Sequence, residues 1–340
     1  MNTILKKQHY FDTKFKILVI AFSIASLFFS SHILNAQEDT KYGYTSLWEW
    51  SEPINEPNYL REPHCIRLDA DGNLLIADVG ASRIMRFTPK GEYLADLGNG
   101  YGSEDGYFDK PRDVAMDSKG NYVVTDQKSE KNRIQVFNSK GKFLRSFAKE
   151  GAGPGEINWP HGLAFASKGR ILVTDVANRR VNLYKRSGKF INALGQSGPN
   201  VDILKVPHSL TVDPDDGVFI SDYFGTVQKF SIDGDYLFSF KNVVHTVGSA
   251  FIHTICSDQK GNVYLMVRGI KGFEGTYEES KVEDRAFYIA KYTNSGELIC
   301  SIQLQNKGRE VINAAVDSQG KIYALFMGDG RMGVEVLKEN

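Results

Sequence analysis

The chain has 340 residues, 41 basic and 41 acidic side chains, and a hydrophobic share of 41 %. Balanced, interspersed charge excludes the clustered positive field that nucleic-acid binding needs, and the length exceeds one ordinary core. Cys65, Cys256 and Cys300 sit inside apolar runs. They read as small buried hydrophobes, with no disulfide framework.

At the N-terminus, Lys6, Lys7, Lys14 and Lys16 precede an apolar run from Ile17 to Phe29, and small residues follow at Asn35-Ala36. The run is short for a bilayer span but suits the core of a secretory leader. The pattern predicts a signal peptide over 1–36 with cleavage near Ala36, leaving 37–340 as one exported domain, secreted or periplasmic. Loss of the four lysines and Asp12 leaves 37 basic and 40 acidic residues. No cysteine marks a lipid anchor, so membrane contact is expected only through an uncleaved leader.

Beyond the leader, Ser46-Leu47-Trp48-Glu49-Trp50 alternates like a single strand without a neighbouring partner. A pattern of four short strands then repeats. Blade one reads Pro63-His64-Cys65-Ile66-Arg67-Leu68-Asp69, then Leu74–Asp78, Arg83–Phe87 and Tyr93–Leu97. Blades begin near 60, 110, 159, 206, 250 and 310. Turn glycines at 72, 120, 169, 217, 261 and 320 are spaced 48, 49, 48, 44 and 59 apart. Self-similarity at this period, with four strands per unit, predicts an all-β, six-bladed β-propeller. Blade six ends one strand short, at Val334–Leu337. The strand around Trp48 is expected to supply that missing outer strand and close the ring, which protects its edges. In blade five, residues 268–285 form an acidic insertion between the second and third strands, expected to emerge on the face where the first strands begin.

The Pro-x-x-hydrophobic-x-Asp and Arg-Ile-x-x-Phe signatures resemble the NHL-repeat propellers over residues 60–337. They are most regular in blades one to four; blades five and six carry Val267 and Phe326 where the second strand otherwise ends in Asp.

The residue after the repeat proline is expected to face the channel mouth. Around the ring that station reads His64, Arg112, His161, His208, His253 and Asn313, so four of the five histidines beyond the leader share it. Converging imidazoles suit Zn or another divalent transition metal. His64, His161 and His253 come from alternate blades and form the expected threefold ligand set. Arg112, Asp113, His208 and Asn313 complete the expected binding face. Pro160-His161-Gly162-Leu163, Val173-Thr174-Asp175 and Pro207-His208-Ser209-Leu210 resemble motifs of the peptidyl-hydroxyglycine amidating lyases. That resemblance implies a channel zinc on His64, His161 and His253. It also implies a Tyr after the blade-two Asp, an Arg after the blade-three Asp and an acidic neighbour of the last ligand. This chain has Gln127, Val176 and Thr254 there. Two functions are therefore expected. The first is an exported module that holds a small-molecule, peptide or protein ligand at its His-lined channel mouth. The second is a metal-dependent lyase or hydrolase in the same channel.

Overall fold

A computed structural model describes residues 44–53, 60–127, 131–195, 204–241, 250–270, 285–304, 309–328 and 331–339. The expected signal peptide, 1–36, and residues 271–284 of the insertion lie outside the described residues, and Trp48 and Trp50 are described by their backbone alone. No helix among the described residues is long and apolar enough to cross a membrane.

Six four-stranded antiparallel sheets form the blades. Strand β1 (Tyr44–Pro53) comes first in the chain but belongs to the last sheet. Blade one is β2 (Pro63–Leu68), β3 (Leu74–Asp78), β4 (Arg83–Phe87) and β5 (Tyr93–Leu97). Blade two is β6 (Lys110–Met116), β7 (Tyr122–Gln127), β8 (Arg133–Phe137) and β9 (Phe143–Phe147). Blade three is β10 (Pro160–Ala166), β11 (Arg170–Asp175), β12 (Arg180–Tyr184) and β13 (Phe190–Leu194). Blade four is β14 (Pro207–Val212), β15 (Val218–Asp222), β16 (Thr226–Phe230) and β17 (Tyr236–Lys241). Blade five is β18 (Ala250–Ser257), β19 (Val263–Ile270), β20 (Arg285–Tyr292) and β21 (Leu298–Leu304). Blade six is β22 (Arg309–Val316), β23 (Ile322–Gly328) and β24 (Arg331–Glu339), with β1 as its outer strand. Each first strand lies beside the first strand of the next blade, and β22 returns to β2, so the ring is closed.

The closure expected around Trp48 is present and longer than the sequence pattern suggests. β1 and β24 pair from Tyr44↔Glu339 to Pro53↔Arg331, with one slip between Ser46 and Trp48. In blade five the strands run past Val267 to the pair Ile270↔Arg285, so both ends of the insertion belong to the sheet. Apolar cores fill the gaps between blades. Leu75, Ala77 and Ile84 of blade one, for example, pack against Val114, Tyr122 and Phe137 of blade two. All three cysteines are free thiols.

Two aspartates per repeat explain the sequence signatures. The first closes the turn between the first two strands: Asp69 Oδ1 accepts the backbone N–H of Asp71 and Asn73. Asp117, Asp213, Asp258 and Asp317 do the same in their blades. An aspartate that bonds the backbone two and four residues on replaces what a longer loop would leave unsatisfied. In blade four the left-handed turn residue is Asp216 (φ 64), not Gly217. Gly217 is required for another reason, since a Cβ there would collide with the Asp213 carboxylate.

The second aspartate ends the second strand and ties down the loop that enters the blade. Asp126 accepts the backbone N–H of Asp109 and Lys110 at 3.0 and 3.1 Å and the Arg133 Nε at 3.0 Å. Asp78 and Asp222 hold Arg61-Glu62 and Lys205-Val206, and Asp175 holds Asn158. Burial pushes the carboxyls of Asp78, Asp126 and Asp175 upward, and the hydrogen bonds oppose that cost. Blades five and six lack this clamp.

Two outcomes test this account. Deleting residues 37–51 is expected to lower the melting temperature by at least about 5 °C, because blade six loses its outer strand. An unchanged transition in differential scanning calorimetry would reject the closure. Replacing Asp126 with Ala removes the buried counter-charge at the Arg133 Nε and leaves the Asp109 and Lys110 backbone donors without their acceptor. It is expected to cost about 3 kcal/mol by urea denaturation, against under about 1 kcal/mol for the surface change Asp71→Ala.

Candidate metal centre

A bulge at the start of each first strand sets the channel-facing side chains. In blade one the ladder steps from Pro63↔Asp78 to Cys65↔Ala77 and leaves His64 unpaired. The same step leaves out Arg112, His208 and His253, and in blade three it passes over His161 and Gly162. A bulge of this kind re-aims its extra residue, here toward the axis. Gly162 has no side chain because the next strand is close: a Cβ there would sit 3.1 Å from the Ser209 Cα.

Blade six corrects the sequence reading by one residue. Its ladder steps from Val311↔Phe326 to Asn313↔Leu325, so the station of the histidines belongs to Ile312, which packs into the core with Leu60. Val311 takes the place of the repeat proline, pairing with Phe326 as Pro63 does with Asp78, so the residue after it is Ile312 and Asn313 corresponds to Cys65. Asn313 still lines the channel, one layer deeper, and its Nδ2 donates to the His64 carbonyl at 3.3 Å.

Three of the four histidines are held by the blade beyond them. His64 Nδ1 lies 3.0 Å from the Arg112 carbonyl, His161 Nδ1 3.1 Å from the His208 carbonyl, and His208 Nδ1 2.8 Å from the His253 carbonyl. A carbonyl only accepts, so each Nδ1 carries the proton and each Nε2 presents its lone pair. Burial, followed by the positive field of Arg112, holds His64 well below the usual histidine range. Burial lowers His161 and His253 likewise and pushes His208 down to about 4. All four are neutral at pH 7, the form that binds metal.

The ligand atoms of His64, His161 and His208 lie within 4.8 Å of one another. Ring centroids are 4.5 Å apart for His64 and His161 and 4.1 Å for His161 and His208. Among the described residues, His64 Nε2 is buried with no hydrogen-bond partner, and so is His253 Nδ1. A buried, unpaired imidazole nitrogen among two others is what a cation site leaves when the ion is taken away. These residues can therefore hold a metal. The convergent set differs from the alternate-blade set 64, 161 and 253. His253 is set apart by its ligand atoms and not by its ring position: its ring centroid lies 4.9 Å from that of His208 and 6.0 Å from that of His64, against 6.4 Å between His64 and His208. In blade two, between them, Arg112 donates its Nε to Gln127 Oε1 at 2.8 Å, and the His64 and His161 rings meet edge to face.

Beside the histidines, Asp113 accepts from Arg67 Nη2 at 2.7 Å, from the Cys65 thiol at 2.7 Å and from the Leu163 N–H at 2.9 Å. The cavity that Cys65, Arg67 and Asp113 line together with the histidines is about 10 Å³, room for roughly one water or ion. Sequence reasoning also missed a neighbour. Tyr223 follows the second-strand Asp222 of blade four, the same station as Gln127 in blade two, and its ring centroid lies 5.3 Å from that of His208. The Asp-Tyr pair at that station was the available signal.

Residues 108–137 match the NHL repeat family. Over 132 residues the chain is 30 % identical to the peptidyl-glycine alpha-amidating monooxygenase of Mus musculus, covering 36 % of this chain and 14 % of that protein. Over 128 residues it is 30 % identical to the probable peptidyl-alpha-hydroxyglycine alpha-amidating lyase of Caenorhabditis elegans, covering 36 % of each. The match thus spans about a seventh of the mouse protein and about a third of the nematode one. A streptogramin B lyase structure shares the fold, with a TM-score of 0.54, 16 % identity and coverage of 86 % of this chain and 98 % of that one.

The geometry distinguishes the four histidines. Single alanine substitutions at His64, His161 and His208 are each expected to weaken metal binding by at least about 100-fold, and His253→Ala by about tenfold or less. Metal retained after dialysis against a graded chelator measures this. Retention in His208→Ala with loss in His253→Ala would restore the alternate-blade set.

Proposed function

We propose that this propeller is a metal-dependent lyase or hydrolase of small organic or peptide substrates, with zinc or another divalent transition metal on His64, His161 and His208. The buried, unpartnered His64 Nε2 carries this reading. Such a metal, when bound, polarises a substrate oxygen or makes bound water acidic. The chain's own residues do the rest. The backbone carbonyls of Arg112, His208 and His253 fix which nitrogen of each ligand is bare. The Arg67–Asp113 pair lines the same cavity as the histidines and gives it a charged wall. Similarity to the amidating enzymes supports substrates with a hydroxyl on the carbon next to an amide nitrogen. Export from the cytoplasm belongs to the same proposal and rests on the leader pattern at 1–36.

One observation favours the alternative, a binding module without turnover. Gln127 stands where the amidating lyases carry a Tyr, and its side chain is engaged with Arg112 and the Pro160 carbonyl.

The test uses the mature protein, its metal content and α-hydroxyhippurate. Proton loss from the hydroxyl and cleavage of the C–N bond, with the nitrogen taking up a proton, would yield benzamide and glyoxylate. About one metal per chain with glyoxylate release that chelation and His161→Ala both abolish is the expected result. Stoichiometric metal without turnover leaves the binding module. A folded protein that takes up no transition metal overturns the site.

A further inference from the structure

We infer that Tyr223, Phe224 and Phe251 form an apolar subsite beside the histidines, which seats the aromatic side group of a ligand whose oxygen faces the metal. This rests on the metal reading above and adds the ligand class to it. The cavity at the histidines admits little more than one oxygen atom. The remaining bulk of any such ligand therefore lies on the surface next to the entrance. That surface is aromatic on the blade-four side. Tyr223 packs on His208 and lies 5.0 Å from Phe251 and 5.8 Å from Phe224 between ring centroids.

The shelf is built, not incidental. The Tyr223 N–H donates to the Val206 carbonyl at 2.9 Å, and its own carbonyl accepts from Ile252 at 3.2 Å. The Phe224 N–H donates to Asp222 Oδ1 at 3.1 Å, and Gly225, with φ 95, completes the turn. Phe224 is held by this framework yet is 57 % exposed. The corresponding turns of blades one and three read Val79-Gly80-Ala81-Ser82 and Val176-Ala177-Asn178-Arg179. Neither offers an aromatic ring. A fixed, exposed ring beside two others gains by covering itself with a flat apolar group, through burial and ring packing together.

Benzohydroxamate and acetohydroxamate are suitable probes, because they share the metal-binding group and differ in the ring. Calorimetric titration of the full mature chain is expected to show benzohydroxamate binding about tenfold tighter than acetohydroxamate. Phe224→Ala and Phe251→Ala should each bring that ratio toward one while leaving acetohydroxamate unchanged. Phe224 is exposed, so its variant keeps the fold, and circular dichroism checks Phe251→Ala. A ratio near one in the wild-type chain, or a ratio that survives both substitutions, overturns the subsite. The metal reading is judged separately: acetohydroxamate binding that resists chelation removes the metal, whatever the ratio does.

Discussion

The channel is organised by one interaction repeated around it, a side chain on one blade donating to a carbonyl on the next. His64, His161 and His208 each do so, Asn313 closes the circle onto His64, and Gln127 spans blades two and three. A buried carbonyl at a strand bulge lacks its ladder partner and must find another donor. The histidines answer that structural demand, and in answering it they fix their own tautomers. Stability and metal-binding competence thus draw on the same hydrogen bonds. Removing an imidazole ligand also orphans a backbone carbonyl, so stability and metal content have to be measured side by side.

The fold was legible because every blade states it afresh. Strand periodicity, turn glycines and the paired aspartates recur at near-constant spacing, and the unmatched strand at one end answers the missing strand at the other. The site was less so. That four histidines share a station is visible in the sequence; which three bring their ligand atoms together is not, because it depends on how each ring is turned across the channel. Blade six shows which end of the strand to count from. The station lies five residues before the turn aspartate in His64–Asp69, His208–Asp213 and His253–Asp258, and the same spacing back from Asp317 gives Ile312, as the ladder does. The Tyr223 ring escaped notice for a related reason. It occupies the station where a tyrosine was sought, but two blades away.

The second-strand aspartate shows what the repeat signature is for. It ties the incoming loop to the sheet in blades one to four, and Arg83, Arg133 and Arg180 approach it as counter-charges. In blade five Val267 takes its place, and the strands there are free to lengthen to Ile270 and Arg285. An ion pair between Arg268 and Glu310, 2.8 Å apart, joins blades five and six instead. The four regular blades supply the rigid frame, and the irregular pair carries the long insertion.

The ion pair of Arg67 and Asp113 ties three blades at one point. The Asp113 carboxylate of blade two takes Arg67 and the Cys65 thiol from blade one and the Leu163 N–H from blade three, so a single side chain fixes the spacing of both neighbours. Cys65 follows His64 directly and Leu163 lies two residues after His161. A change in that one carboxylate would therefore be transmitted to both imidazoles, although its hydrogen bonds go to neither ring.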